Sequence, residues 1–462
     1  MRLARLATIT VALMLLVVAS GQGATWTAPA MLRTCAPASD PHVVFPFSAP
    51  GAPSGRGAIV WVGAAPNCSG GAVAPAGTLD SATLHSNDQP GTARAVLSGR
   101  QLVGPLETAS TTAGQLVLVS GDAGAPAGGR AGALLAEGPA GGVLRTVVAL
   151  GGPAAPVATA DGYIGDADVV TTAAAFGGGQ LIELREQRHY NRRFGRPVVL
   201  QEGFAPITAL AVGMDFRGDS LVLWAQSGEV HAQWVTNQRH VYAPQVLGPA
   251  GYAPQLAAVL SDNNHAFAMW TDEPAPGTAG MARIFLEHSG ANVTFPPTPV
   301  VLASFREPRA QRLTPRAIAL ARETPSEGVL AAWTLVADGS FVVRAAGLTS
   351  ARVLPAATIA LPGADVRLAG LATGPNDDFV AALESAPRSA AGFDTSQQEI
   401  LAARSVPGGP GGVAFETPTP LAPAGPNTAP SVAIDPGNDR AVVVWQTMVG
   451  GLPAVGYSVR AP

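Results

Sequence analysis

Trp26-Thr-Ala-Pro29-Ala-Met-Leu32 recurs further along the chain as Phe194-x-x-Pro197-x-x-Leu200 and Phe415-x-x-Pro418-x-x-Leu421. A looser copy places Val241 before Pro244 and Leu247, and another, with one residue inserted, runs Phe295, Pro299, Leu302. Each internal copy follows a longer β-patterned stretch. The first copy has no such stretch before it, and the last unit, ending at Pro462, has no copy after it. A phrase present at one end and missing at the other is what a closed ring of repeats requires.

A second element fixes the period. A polar turn leads into an apolar run ending in Trp, as in Asp219-Ser-Leu-Val-Leu-Trp224. It returns at Asn264 to Trp270, Glu327 to Trp333 and Asp439 to Trp445, and Gly57-Ala-Ile-Val-Trp61 belongs with them. These Trp are separated by 163, 46, 63 and 112 residues. A period of about 54 divides the gaps as three, one, one and two intervals, which makes eight copies. The copies without Trp then fall on Gln115 to Ser120, Asp168 to Thr172 and Asp378 to Leu383, each an apolar run.

One unit holds four strand-like pieces, for example Ile207 to Val212, Ser220 to Ala225, Val230 to Thr236 and Gln245 to Leu247. Turn residues separate them. Four short strands per unit, repeated around the chain, predict an all-β protein, a β-propeller of about eight four-stranded blades. Seven blades is the alternative, because the boundaries between 100 and 190 are the weakest. A blade buries its two apolar faces only against its neighbours, so the ring must close. Trp26 to Leu32 is expected to supply the outer strand of the last blade. The Trp of the second strands are expected to pack between blades. The Pro of the recurring phrase is expected within an outer strand, where a missing N–H is tolerated.

Composition agrees. The 54 Gly and 41 Pro suit many short strands and turns. Charged residues are 13% and net charge is -4, so no global field draws in nucleic acid. All 28 basic residues are Arg, which removes every mechanism that needs a Lys.

Arg2, Arg5 and the apolar run Ala7 to Ala19 read as an export signal, 1–24, leaving 25–462 as one propeller domain. No membrane insertion is expected beyond it. A secreted or extracytoplasmic monomer follows. Cys35 and Cys68 then suggest a disulfide, worth about 3–4 kcal/mol for a loop of that length.

With Val432-Ala-Ile-Asp435-Pro-Gly-Asn-Asp439 leading into the run to Trp445, the chain resembles secreted bacterial β-propellers with sialidase-like or Asp-box-like repeats. No unit carries the complete box, Ser-x-Asp-x-Gly-x-Thr-Trp, so the resemblance implies architecture and transfers no active site.

Chemistry is sparse. Gly218-Asp219-Ser220-Leu221 spells an esterase motif but coincides with a repeat turn, and no His follows His288. A sialidase-type site would need an Arg triad and a Tyr with a Glu partner. Glu183-Leu-Arg-Glu186-Gln-Arg-His-Tyr190 offers these residue types without fixing the triad. Arg185, Arg188, Arg192, Arg193 and Arg196, with His189 and Tyr190, make either an anion-binding patch or a solvated hairpin neutralised by Glu183 and Glu186. The His are dispersed, so no metal site and no cofactor are expected, and no catalytic residue is assigned. The expectation is an extracellular binding or scaffold module for a protein or carbohydrate, leaning away from catalysis. The alternatives are a sialidase-like glycan hydrolase or lyase and a structural cell-envelope component.

Overall fold

The computed structural model describes residues 25–32, 38–46, 56–64, 76–97, 102, 105–111, 114–122, 132–151, 156–162, 165–175, 177–191, 193–275, 278, 280–290, 293–306, 317–322, 328–349, 352–374, 378–389, 393–407 and 413–462. The export segment 1–24 and both Cys35 and Cys68 lie outside the described residues. Among those described, no helix is long and apolar enough to cross a membrane.

The strands form eight antiparallel sheets arranged as a β-propeller. The innermost strands of blades 1 to 8 are Ala38–Val44, Leu106–Thr111, Val157–Asp161, Ile207–Met214, Leu256–Leu260, Ile318–Arg322, Ala364–Thr373 and Thr428–Ile434. Each touches the next, and the last touches the first, so the ring is closed with eight blades rather than seven. All eight apolar runs marked in the sequence are second strands, including the three without Trp, in Gly114–Asp122, Ala167–Ala174 and Phe379–Pro387.

Closure uses the N-terminal phrase. Ala30–Leu32 pairs with Leu452–Arg460, Ala30 opposite Tyr457 and Leu32 opposite Val455. Trp26 bridges Arg460, and the Thr27 N–H donates to the Val459 carbonyl at 2.8 Å.

The Asp-rich turns between first and second strands have a local cause. Asp215 Oδ1 accepts from the N–H groups of Arg217 and Asp219, and Asp435 Oδ1 accepts from that of Gly437. Such side-chain bonds replace the ladder bonds the turn has lost. A residue near the end of each turn takes a left-handed conformation, φ 81° at Gly218, the fourth from its Asp, and 61° at Asp439, the fifth.

Among the described residues the core consists of eight apolar clusters, each shared by two adjacent blades. This explains the recurring phrase. Phe295 lies in the cluster between blades 4 and 5, whereas Leu302 of the same phrase packs into the one between blades 5 and 6. Val241 and Leu247 divide in the same way, as do Phe194 and Leu200, Phe415 and Leu421, and Trp26 and Leu32. The first residue packs against the previous blade and the Leu against the next. Trp61, Trp224, Trp270, Trp333 and Trp445 are buried in these same interfaces, as the repeat pattern implied.

The Pro corrects one expectation. It does not sit within the outer strand. Pro29, Pro197, Pro244, Pro299 and Pro418 each lie one residue before it, the strands beginning at Ala30, Val198, Gln245, Val300 and Thr419. The physical reason is that Pro fixes φ for entry into an extended segment without having to donate to the ladder. Pro244→Ala is therefore expected to lower stability by only about 0.4–1 kcal/mol, through the unfolded chain. Urea unfolding measures it, and an unchanged midpoint would show that the entry needs no fixed φ.

Candidate functional site

The inner strands enclose a central channel of about 700 Å³. Their close approach needs small residues. A Cβ on Gly213 would come within 2.8 Å of the Ala258 carbonyl on the next blade.

The wall is chemically divided. The polar groups His42, Glu107, Thr108, Ser110, Thr159 and Asp161 come from blades 1 to 3, alternating there with apolar residues such as Val43, Phe45, Ala109 and Ala160. Blades 4, 5, 7 and 8 contribute mainly small or apolar residues, among them Val212, Ala258, Gly370, Leu371, Val432 and Ala433. Among the described lining residues Arg322 is the one arginine, set against the carboxylates of Glu107 and Asp161. Its guanidinium is already engaged. It donates to the Met214 and Leu260 carbonyls at 3.2 and 3.1 Å and to Asp262 Oδ1 at 3.0 Å, so it ties blade 6 to blades 4 and 5 at one mouth.

His42 is the channel's most defined polar group. Its Nε2 lies 3.3 Å from Asp40 Oδ1, while Asp40 Oδ2 accepts from the Leu106 N–H at 2.6 Å. Asp40 therefore holds the imidazole and joins blade 1 to blade 2. It does so from a left-handed backbone, φ 48°, at a register shift between Ser39 and His42. For a non-Gly residue such a conformation persists only where its surroundings impose it. Asp161 is held by the N–H and hydroxyl of Ser110 at 2.9 and 2.6 Å. A buried imidazole fixed by a carboxylate can orient a ligand or move a proton. The carboxylates and hydroxyls can accept or share hydrogen bonds with a polyol.

The basic stretch around residue 190 forms the third-to-fourth-strand hairpin of blade 3, apart from the channel lining. The neutralised-hairpin reading holds for two of its arginines. Arg185 pairs with Glu183 at 3.2 Å, and buried Arg188 pairs with Glu186 at 2.9 Å and donates to the Gly218 carbonyl. Arg193, Arg196 and Tyr190 remain exposed, and Arg192 lies outside the described residues.

Ser220 of the esterase-like tetrapeptide is wholly buried and hydrogen-bonded to Asp168 on blade 3, so it is a tie between blades. Among the described residues no group of three or more His, Cys, Asp or Glu is placed to hold a metal. Sequence reasoning did not single out Asp40, His42, Glu107, Asp161 or Arg322. The signal available was the interruption of three first strands by polar residues.

No family model and no curated protein matches this sequence. Solved structures that align with it include a mutant of the NanB sialidase from Streptococcus pneumoniae, at 7% identity and a TM-score of 0.38, over 92% of this chain and 68% of that one. The polysaccharide lyase PL25 ulvanlyase aligns at 9% identity and 0.47, over 93% and 95%. An α-L-arabinanase from Penicillium chrysogenum aligns at 11% and 0.32, over 53% and 90%.

Proposed function

We propose that this chain is an exported binding protein that holds a neutral, hydroxyl-rich ligand of carbohydrate type in its central channel. The divided wall supports this reading most strongly. A sugar ring presents C–H faces and hydroxyl edges, which match the mainly apolar lining of blades 4, 5, 7 and 8 and the polar groups that blades 1 to 3 add. The volume falls within the roughly 300–1,000 Å³ of small-molecule sites. The excess of carboxylates disfavours an anionic ligand, since the one Arg among the described lining residues is already satisfied.

A second reading rests on the Asp40–His42 pair. An imidazole fixed beside a ligand space is general acid–base equipment. It favours a glycan-acting hydrolase or lyase in the same channel.

Thermal shift against neutral and acidic oligosaccharides tests the binding reading. A neutral ligand at a hundred times its Kd adds about 2.7 kcal/mol of stability. Ala372→Trp, placed on the apolar wall, is expected to weaken that binding by about tenfold or more. If no neutral oligosaccharide shifts the melt, or if the Trp variant binds as well as the parent, the channel does not hold such a ligand. Reducing-end release or ultraviolet absorbance from an unsaturated product, lost in His42→Ala, would establish the catalytic reading instead.

A further inference from the structure

We propose that the rim over blades 3 and 4 is a second site, separate from the channel, that binds a linear acidic polysaccharide through exposed arginines and Tyr190. Arg193 and Arg196 come from the blade 3 hairpin, Arg239 from the corresponding hairpin of blade 4, and Arg217 from the blade 4 turn. All four are exposed. Direct contacts make them one patch. The Arg239 guanidinium donates to the Arg196 carbonyl, and the Asn237 side-chain amide donates to the Arg217 carbonyl at 3.0 Å.

The charge of this rim is layered. Its strongest acids lie beneath the surface and are already engaged. Asp166 is buried against Arg188 and His189, at 3.7 and 2.9 Å. Glu186 is buried against Arg188, with Arg239 Nε at 3.8 Å. Both the Glu186 and Asp168 carboxyls are buried beneath the rim, and burial pushes Glu186 above its ordinary value and Asp168 up to about 7. Asp219, half-buried, accepts from the Asn237 N–H. Arg193 and Arg196 make no ion pair among the described residues. The result is a local cationic surface on a chain whose net charge is -4.

Charge complementarity selects a polyanion, and Tyr190 narrows the class. Its ring is 78% exposed and is braced edge-on by His189, centroids 5.2 Å apart. An exposed aromatic ring on the same hairpin as Arg193 and Arg196 suits a sugar's C–H face next to its carboxylate or sulfate groups. Export, proposed above, would place the chain among acidic glycans rather than nucleic acids.

Dextran sulfate, uncharged dextran, duplex DNA and phosphatidylglycerol vesicles distinguish the partners when titrated against the mature chain. The expected result is binding to dextran sulfate but not dextran, weakening as salt rises. Arg193→Ala with Arg196→Ala is expected to cost tenfold or more and to flatten the salt dependence. Tyr190→Ser is expected to cost a fewfold with the salt dependence intact. Channel-filling Ala372→Trp should leave this binding unchanged, which separates it from the channel reading. Tighter binding of DNA or vesicles, or arginine variants that bind like the parent while melting like it, would overturn the proposal.

Discussion

Removing residues 25–33 is expected to destabilise a chain spanning 25–462 by about 3–6 kcal/mol, a large share of the roughly 5–15 kcal/mol that holds most domains together. Three losses add. The pairing of Ala30–Leu32 with Leu452–Arg460 disappears, leaving the last strand as an open edge. Ser458 loses the Thr27 carbonyl that its hydroxyl donates to, and the Val459 N–H loses the Thr27 hydroxyl. Leu32 leaves the cluster between blades 8 and 1, and Trp26 leaves the one between blades 7 and 8. Equilibrium unfolding in urea, comparing chains that begin at 25 and at 34, measures the effect. Equal midpoints and slopes would mean that the N-terminal strand does not hold the ring closed.

The second large effect is one of pH. Glu287 is 2% exposed, and among the described residues neither of its carboxylate oxygens has a hydrogen-bond partner. Burial alone pushes its carboxyl up to about 7. In the unfolded chain the same group titrates near 4.5. Between these values the folded state holds the proton more tightly, so stability falls as pH rises from about 4.5 to 7. Asp168 and Asp215, raised by burial to about 7 and about 6, act in the same direction. Glu287→Gln removes the ionisation and keeps the shape. It is expected to stabilise the protein by about 1–2 kcal/mol at pH 8, less than the full shift implies because solvent in the adjoining groove screens part of the charge. At pH 4 the gain should vanish. A variant equally stabilised at both pH values would show that packing, rather than charge, sets the cost of Glu287.

The architecture was legible because it is written in large side chains at fixed spacing. Trp61, Trp224, Trp270, Trp333 and Trp445 mark second strands, and three apolar runs without Trp fell at the positions the period demanded. The place of Pro was misjudged by one residue, since an apolar pattern does not reveal where ladder pairing begins. The two-way division of each outer strand was also hidden. Phe295 and Leu302 read as one apolar stretch, yet they serve different interfaces.

The candidate site was far less legible. Its walls are small residues such as Gly213 and Ala258, which carry no chemical signal in a chain rich in both. Asp40 and His42 gain meaning only through Leu106, which lies 66 residues from Asp40. The arginine hairpin was visible as composition. Which guanidinium groups are spent depends on partners across a blade junction, such as the Gly218 carbonyl for Arg188.

The outer strands that face both ways bear on how the molecule comes apart. In an open array of repeats each end unit has one bare side and frays first. Here no unit is an end unit. Losing one outer strand strips an aromatic or branched side chain from the interface behind it and a leucine from the interface ahead, so damage at one blade spreads in both directions around the circle. Such wiring favours unfolding as a single cooperative event, with partly opened rings scarcely populated.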